Sequence, residues 1–238
     1  MKGVLPICLF LVGLLAFVVV VTYQKLPQRP LGTTAQTTKN ISDIVRLKGF
    51  QLTPKSFKGS DFTDFFSLNK ELGGTTVGWT GSVSELKKPE GAPAVVESLG
   101  GAYDYTPIIS VQVYDRKTGT LLNDFKNGKK EILEFVSKNR PAFFGIGVEV
   151  DLLYDQNPIA YSQYVTLFNE YADSIHQTSP NTLVFPIFQL EHVKGMAGGL
   201  FGKLNDSTTQ HWDLLLQFPK ADLIAFTSYP TLIYKEPN

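Results

Sequence analysis

From Val45 to Tyr229 the chain alternates short apolar runs with longer stretches whose apolar residues recur every three or four positions. The short runs suit strands and the longer periodic ones suit helices. Strands are predicted over residues 45–52, 75–80, 107–114, 142–151, 183–191 and 222–229. Helices are predicted over residues 61–72, 94–99, 121–139, 159–178 and 211–218. In the first helix Phe62, Phe65, Phe66 and Leu72 fall on one face, Asp61 suits an N-cap, and Gly73-Gly74 is a stop signal. Ile132, Leu133 and Val136 face inward in the third, which Pro141 closes. Tyr164, Phe168, Tyr171 and Ile175 form the buried stripe of the fourth.

Strand-helix alternation of this length predicts parallel β/α units in one domain over residues 43–238. Two architectures produce that pattern, a doubly wound sheet and a β/α barrel. The first normally carries a glycine turn for phosphate after its first strand. Here the first strand runs into Gln51-Leu-Thr-Pro54, and the one Gly-x-Gly, Gly145-Ile-Gly147, lies inside a strand. A dinucleotide site is therefore not expected, and the P-loop pattern is absent.

The amino terminus has a different pattern. Val4–Val21 is almost unbroken apolar sequence, and no charge falls between Lys2 and Lys25. A helix of that length nearly crosses a hydrocarbon core of about 30 Å. The run exceeds the apolar core of a cleaved signal peptide, and Val20-Val21-Thr22 is a poor cleavage site. Residues 1–25 therefore read as a transmembrane signal-anchor and 26–42, rich in Pro, Thr and Gln, as a flexible linker. Lys25 and Arg29 pull weakly towards a cytoplasmic domain. The extreme N-terminal position of the run favours export, so an extracytoplasmic domain is expected. Asn40-Ile41-Ser42 and Asn205-Asp206-Ser207 are glycosylation sequons, which also occur by chance.

Composition narrows the function. The 22 basic and 22 acidic residues cancel and the sequence pI is about 6.8, which removes the electrostatic case for nucleic acid. One cysteine, Cys8, excludes an intrachain disulfide framework, and three histidines make a histidine-rich metal centre unexpected. No metal and no cofactor is predicted.

Polar residues gather at the predicted strand ends, where a β/α barrel places its active site. The fourth strand ends in Glu149-Val-Asp151, and alternation along a strand sends both acids to one side. Were Val148 and Val150 packed under the helices, both acids would enter the barrel mouth. Gln189 and Glu191 repeat the arrangement on the fifth strand. Trp79, Gln112, Tyr114 and Tyr229 end the second, third and sixth. Aromatic faces stack on sugar C–H surfaces, while amides and acids bond hydroxyls, so a glycan is the expected partner. Each residue also has a plainer reading: Asp151 as a loop cap, Glu191 paired with Lys194, Trp79 and Tyr229 as core aromatics. His192 reads as an exposed loop histidine, and His176 as a helix-end histidine without chemistry.

Lys48-Gly-Phe50, Gly78-Trp79, Gly147-Val-Glu149, Phe188-Gln-Leu-Glu191 and Ser228-Tyr-Pro230 follow one another in an order and spacing that resemble the retaining glycoside hydrolases with a (β/α)8 barrel. The closest pattern is the clan with its acid/base Glu at the end of strand four and its nucleophile Glu on strand seven, the endo-galactanases among them. The resemblance implies Glu149 as general acid/base; Trp79, Gln112, Tyr114, Asp151, Gln189, Glu191 and Tyr229 are expected against the sugar from their strand-end positions. In two places the chain departs from the pattern. Val148 stands where the clan has Asn, and the sequence ends after the sixth strand, before the nucleophile strand. A retaining mechanism needs two carboxyls about 5–5.5 Å apart. The chain is therefore expected to be an incomplete, inactive barrel of about six β/α units. Two other readings remain: a carbohydrate-binding barrel without catalysis at the cell surface, or a barrel enzyme of another class, which would need more inward-facing His or Asp.

Overall fold

The computed structural model describes residues 47–196, 205, 206 and 208–229. The apolar run Val4–Val21, the linker, the Asn40 sequon and Pro230 lie outside them. Among the described residues no helix is long and apolar enough to cross a membrane.

Among the described residues eight strands form: β1 (Gly49–Gln51), β2 (Thr76–Gly81), β3 (Thr106–Val111), β4 (Tyr114–Asp115), β5 (Thr120–Leu121), β6 (Phe143–Val148), β7 (Leu183–Gln189) and β8 (Ala225–Thr227). The α-helices are α1 (Gly59–Glu71), α2 (Ala92–Tyr103), α3 (Asn123–Lys126), α4 (Lys129–Asn139), α5 (Asp151–Gln156), α6 (Pro158–Thr178) and α7 (Leu190–Val193). Six strands make one sheet in the order β1-β2-β3-β6-β7-β8, with every neighbouring pair parallel. The short β4–β5 hairpin stands apart.

Strand order and packing decide between the two predicted architectures. Neighbours in the sheet follow chain order without reversal, whereas a doubly wound sheet turns back at a switch point. The helices also share one face. Val77, Ile109, Phe144, Val184 and Phe226 project from the strands into the cluster that holds the helix residues Phe66, Val96, Ile132 and Phe168. The opposite face carries Ile108, Phe143, Phe185, Ile187 and Ala225, and its cluster contains no helix residue. A parallel sheet with helices on one side only is a curled half-barrel.

Local chemistry explains where the elements differ from the sequence reading. α1 begins two residues before Asp61, which sits in the first turn and accepts a hydrogen bond from Ser56 Oγ at 2.8 Å. The predicted helix over 121–139 is two helices, broken at Asn127-Gly128, both weak helix formers. α6 carries the expected stripe, with Tyr164, Phe168, Tyr171 and Ile175 all buried. Asn157 caps it by accepting from Ala160 N at 3.0 Å, and Pro158 occupies its first turn. The third predicted strand stops at Val111, and Tyr114 belongs to the hairpin instead. The fifth stops at Gln189, and Glu191 lies in α7.

Candidate functional site

The C-terminal end of β6 breaks strand alternation. Gly145 pairs with Phe185, yet Val148, not Gly147, pairs with Ile187, so one extra residue bulges between them. Gly147 makes this possible at φ 94; a Cβ there would lie 2.5 Å from Val150 Cγ1 and 2.7 Å from Tyr164 Oη. The bulge turns Val148 towards the concave face, where it joins the cluster of Phe143 and Ile187. Val150 remains under the helices. Glu149 follows at φ 54, a left-handed conformation that costs a residue with a Cβ about 1–3 kcal/mol.

That conformation aims Glu149 across the strand ends towards β8. The residue is 2 % exposed. Oε1 accepts from Thr227 Oγ1 at 2.8 Å and from Tyr229 Oη at 2.7 Å. Oε2 pairs with Arg116 Nη1 at 2.7 Å, while the Arg116 side chain stays 53 % exposed. Tyr114 Oη donates to the Glu149 carbonyl at 3.0 Å and so holds the strained backbone. Burial, and then the Glu149 carboxylate, push the Tyr229 phenol well above the usual tyrosine range, which keeps it a proton donor to the acid. Beside Arg116 runs a groove of about 330 Å³ lined by Gln112, Val113, Tyr114, Lys117, Leu122 and Val148.

The neighbouring strand adds two polar side chains. Gln189 is buried, and neither atom of its side-chain amide has a hydrogen-bond partner among the described residues. Glu191 Oε1 accepts from Ser228 Oγ at 2.6 Å and Tyr229 N at 2.8 Å; its Oε2 is enclosed without a partner among the described residues. Tyr229 thus bonds Glu149 through its hydroxyl and Glu191 through its backbone.

Asp151 is elsewhere. It lies behind the sheet end with no exposed surface, where Oδ1 accepts from Gln189 N at 2.8 Å and Oδ2 meets His192 Nδ1 at 2.7 Å. Burial raises its pKa, and His192 opposes the rise. His192 is buried rather than exposed in a loop, and its Nε2 lies 2.9 Å from Asp155 Oδ2. Burial pulls the imidazole pKa down, but the two carboxylates outweigh it and leave it above the ordinary value.

Of the predicted site residues, the structure therefore gathers Glu149, Gln189, Glu191, Tyr229 and, at the groove, Gln112 and Tyr114. It separates Asp151 and Trp79. Trp79 packs among the residues under the helices, because Gly78 takes the concave-facing position on β2. The expected Glu191–Lys194 pair gives way to the bonds from Ser228 and Tyr229. Sequence reasoning missed Arg116 and Thr227. The Asp115-Arg-Lys-Thr-Gly119 turn could have flagged a hairpin but not its reach to β6.

No family model matches the chain, and no curated protein does. Among solved structures it is similar to the exo-β-1,4-mannosidase Op5Man5 from Opitutaceae bacterium strain TAV5, at 15 % identity over 61 % of this chain and 32 % of that one, TM-score 0.43. A family 1 β-glucosidase from Thermotoga maritima shares 8 % identity over 71 % of this chain and 53 % of its own, TM-score 0.43. An endo-1,4-β-mannanase from Eisenia fetida shares 12 % over 72 % and 61 %, TM-score 0.42. The chain thus spans 32 % to 61 % of the length of these three proteins.

Proposed function

We propose that this chain is a glycosidase-like barrel protein that takes a glycan at the C-terminal ends of its strands, with Glu149 as the working carboxylate. The observation that carries the reading is the geometry of Glu149. A buried acid sits at a strand end in a left-handed conformation, clamped by Arg116, Thr227 and Tyr229 beside an open groove. Strain of this kind persists where the surroundings hold it and collects at functional sites. Grooves of about 300–1,000 Å³ with a few convergent polar groups are the usual form of small-ligand sites.

Both oxygens of Glu149 act as acceptors in this arrangement. To serve as the general acid that the family resemblance assigns, it must give up one of these contacts. Arg116 is the one able to leave, since half of its side chain is in water. A sugar entering the groove would displace the guanidinium and place a glycosidic oxygen or hydroxyl at Oε2. Gln189 and Glu191, whose buried side chains have atoms unpartnered among the described residues, would supply further hydroxyl contacts. The full clamp also favours a second reading, glycan binding without cleavage, in which Glu149 only accepts from sugar hydroxyls.

Hydrolysis of β-linked oligosaccharides and of the matching activated aryl glycosides, by a protein that joins this chain to a second carboxylate at the nucleophile position, separates the two. A general-acid Glu149 predicts that Glu149→Gln loses about 10²–10⁴-fold on the natural glycan and much less on the aryl glycoside. Equal turnover by mutant and wild type refutes the assignment, and binding without turnover selects the second reading. We further propose that Val4–Val21 anchors the chain in a membrane with the barrel domain outside. Release of the full-length chain by alkaline carbonate washing would contradict the anchor.

A further inference from the structure

We propose that Asp155, His192 and His211 bind one divalent transition-metal ion of the zinc class, with Asp151 as the residue that positions His192. The side-chain ligand atoms of the three all lie within 4.8 Å of one another. They come from α5, from α7 and from the segment before the short 3₁₀ helix Trp212–Gln217. Two imidazoles and one carboxylate suit zinc or a similar ion; calcium and magnesium prefer oxygen alone.

The spacing of two of the three ligand atoms is close to what an ion needs, and the third lies within 4.8 Å of both. Metal–ligand bonds of about 2.0–2.2 Å at tetrahedral angles place two ligand atoms about 3.3 Å apart. His192 Nε2 and Asp155 Oδ2 stand at 2.9 Å, so a shift of a few tenths of an ångström admits the metal between them. The His211 ring stacks on His192 with centroids 4.9 Å apart and planes at 10°. Its backbone is fixed by the bond from His211 N to Val193 O at 2.9 Å, and its ring also meets Tyr154 edge-on at 5.9 Å. The site requires this half-buried ring to rotate out of the stack about its side-chain torsions, so that a nitrogen enters the gap.

Asp151 supplies what metal-bound histidines generally have, a carboxylate on the other ring nitrogen that fixes the tautomer and the ring plane. With Nδ1 donating to Asp151, the neutral ring presents the Nε2 lone pair to the ion. Charge agrees as well. Two carboxylates flank one imidazole, and replacing the proton between Nε2 and Asp155 by a doubly charged ion leaves the group neutral overall. Asp155 is partly open to solvent and gives the ion its way in, with a water as fourth ligand. The ligands are separated by 37 and 19 positions, so the sequence shows no spacing motif for them.

Calorimetric titration of the full chain with Zn²⁺, repeated with Co²⁺ and read by its visible absorption, tests the site. The expected result is one saturable ion per chain with tetrahedral-type cobalt bands. His211→Ala and Asp155→Asn should each weaken binding at least about tenfold and remove those bands, and Asp151→Asn should weaken it about 10–100-fold. His176→Ala removes an unrelated histidine–aspartate pair, His176 with Asp222, and should leave affinity unchanged. Circular dichroism confirms folding of each variant; should Asp151→Asn unfold, the two ligand variants decide. Absence of saturable binding in the wild type, or wild-type affinity in both His211→Ala and Asp155→Asn, overturns the proposal.

Discussion

Glu149 and Asp151 are two residues apart, both buried, and serve opposite sides of the same strand end. Glu149 reaches over the mouth to hydroxyls and to a half-exposed arginine, contacts that a ligand can exchange. Asp151 turns behind the sheet and closes on His192 and a backbone amide, contacts that only local unfolding would break. Regular alternation would send both the same way. The bulge at Gly147–Val148 and the left-handed backbone of Glu149 separate them, so a single extra residue turns one acid across the strand ends and the other behind the sheet.

The largest effect expected from testing this division is on stability. Asp151→Ala strands His192 beside one remaining carboxylate and leaves Gln189 N without its acceptor; loss of one partner of a buried charged pair costs about 3–5 kcal/mol. Urea unfolding measures it, and a loss below about 1 kcal/mol would remove Asp151 from its structural role. Gly147→Ala should cost about 1–3 kcal/mol, because φ 94 disfavours a Cβ and the methyl meets Val150 and Tyr164. A neutral result would mean the bulge is free to relax and does not hold Glu149.

Glu97 sharpens the contrast as a half-buried acid whose enclosed Oε1 has no partner among the described residues. Burial lifts its pKa from 4.5 to about 7. The folded state then holds a proton that the unfolded chain has lost, so the stability contribution of Glu97 falls as pH rises from 4.5 to about 7 and is flat above. Glu97→Gln should abolish that fall and raise stability at pH 8 by about 1–2 kcal/mol. Unfolding curves at pH 5 and pH 8 check both the sign and the size. The smallest effect is expected for Tyr229→Phe, which removes one of the three donors to the Glu149 carboxylate among the described residues and should cost about 1 kcal/mol. A cost as large as that of Asp151→Ala would erase the distinction between exchangeable and locked contacts.

Much of the fold was legible in the chain. Six apolar runs became the six strands of the sheet, and the stripe Tyr164, Phe168, Tyr171, Ile175 packed as its spacing required. Periodicity is set by backbone geometry, so it survives in the sequence. The curled sheet was legible through the missing glycine turn and the barrel-like motif order rather than through periodicity, because the face that each crossover takes leaves no periodic signal. Glu149, Gln189, Glu191 and Tyr229 lie at or just beyond the strand ends as expected, because strand ends concentrate polar residues. Trp79 was misplaced by one position of alternation, and Asp151 by the bulge. Arg116 and His192 act across 33 and 41 residues of sequence, on Glu149 and Asp151, and no local pattern announces such contacts.

The central claim is that the groove beside Glu149 receives a glycan. Calorimetric titration of β-linked gluco-, galacto- and manno-oligosaccharides into the full chain, wild type and Glu149→Gln, tests it most directly. The account predicts one-to-one binding of at least one of these sugars, weakened about tenfold or more by Glu149→Gln, as expected when a charge-assisted hydrogen bond of about 1.5–3 kcal/mol is lost. Binding of none of them, or equal affinity in the two proteins, would contradict it.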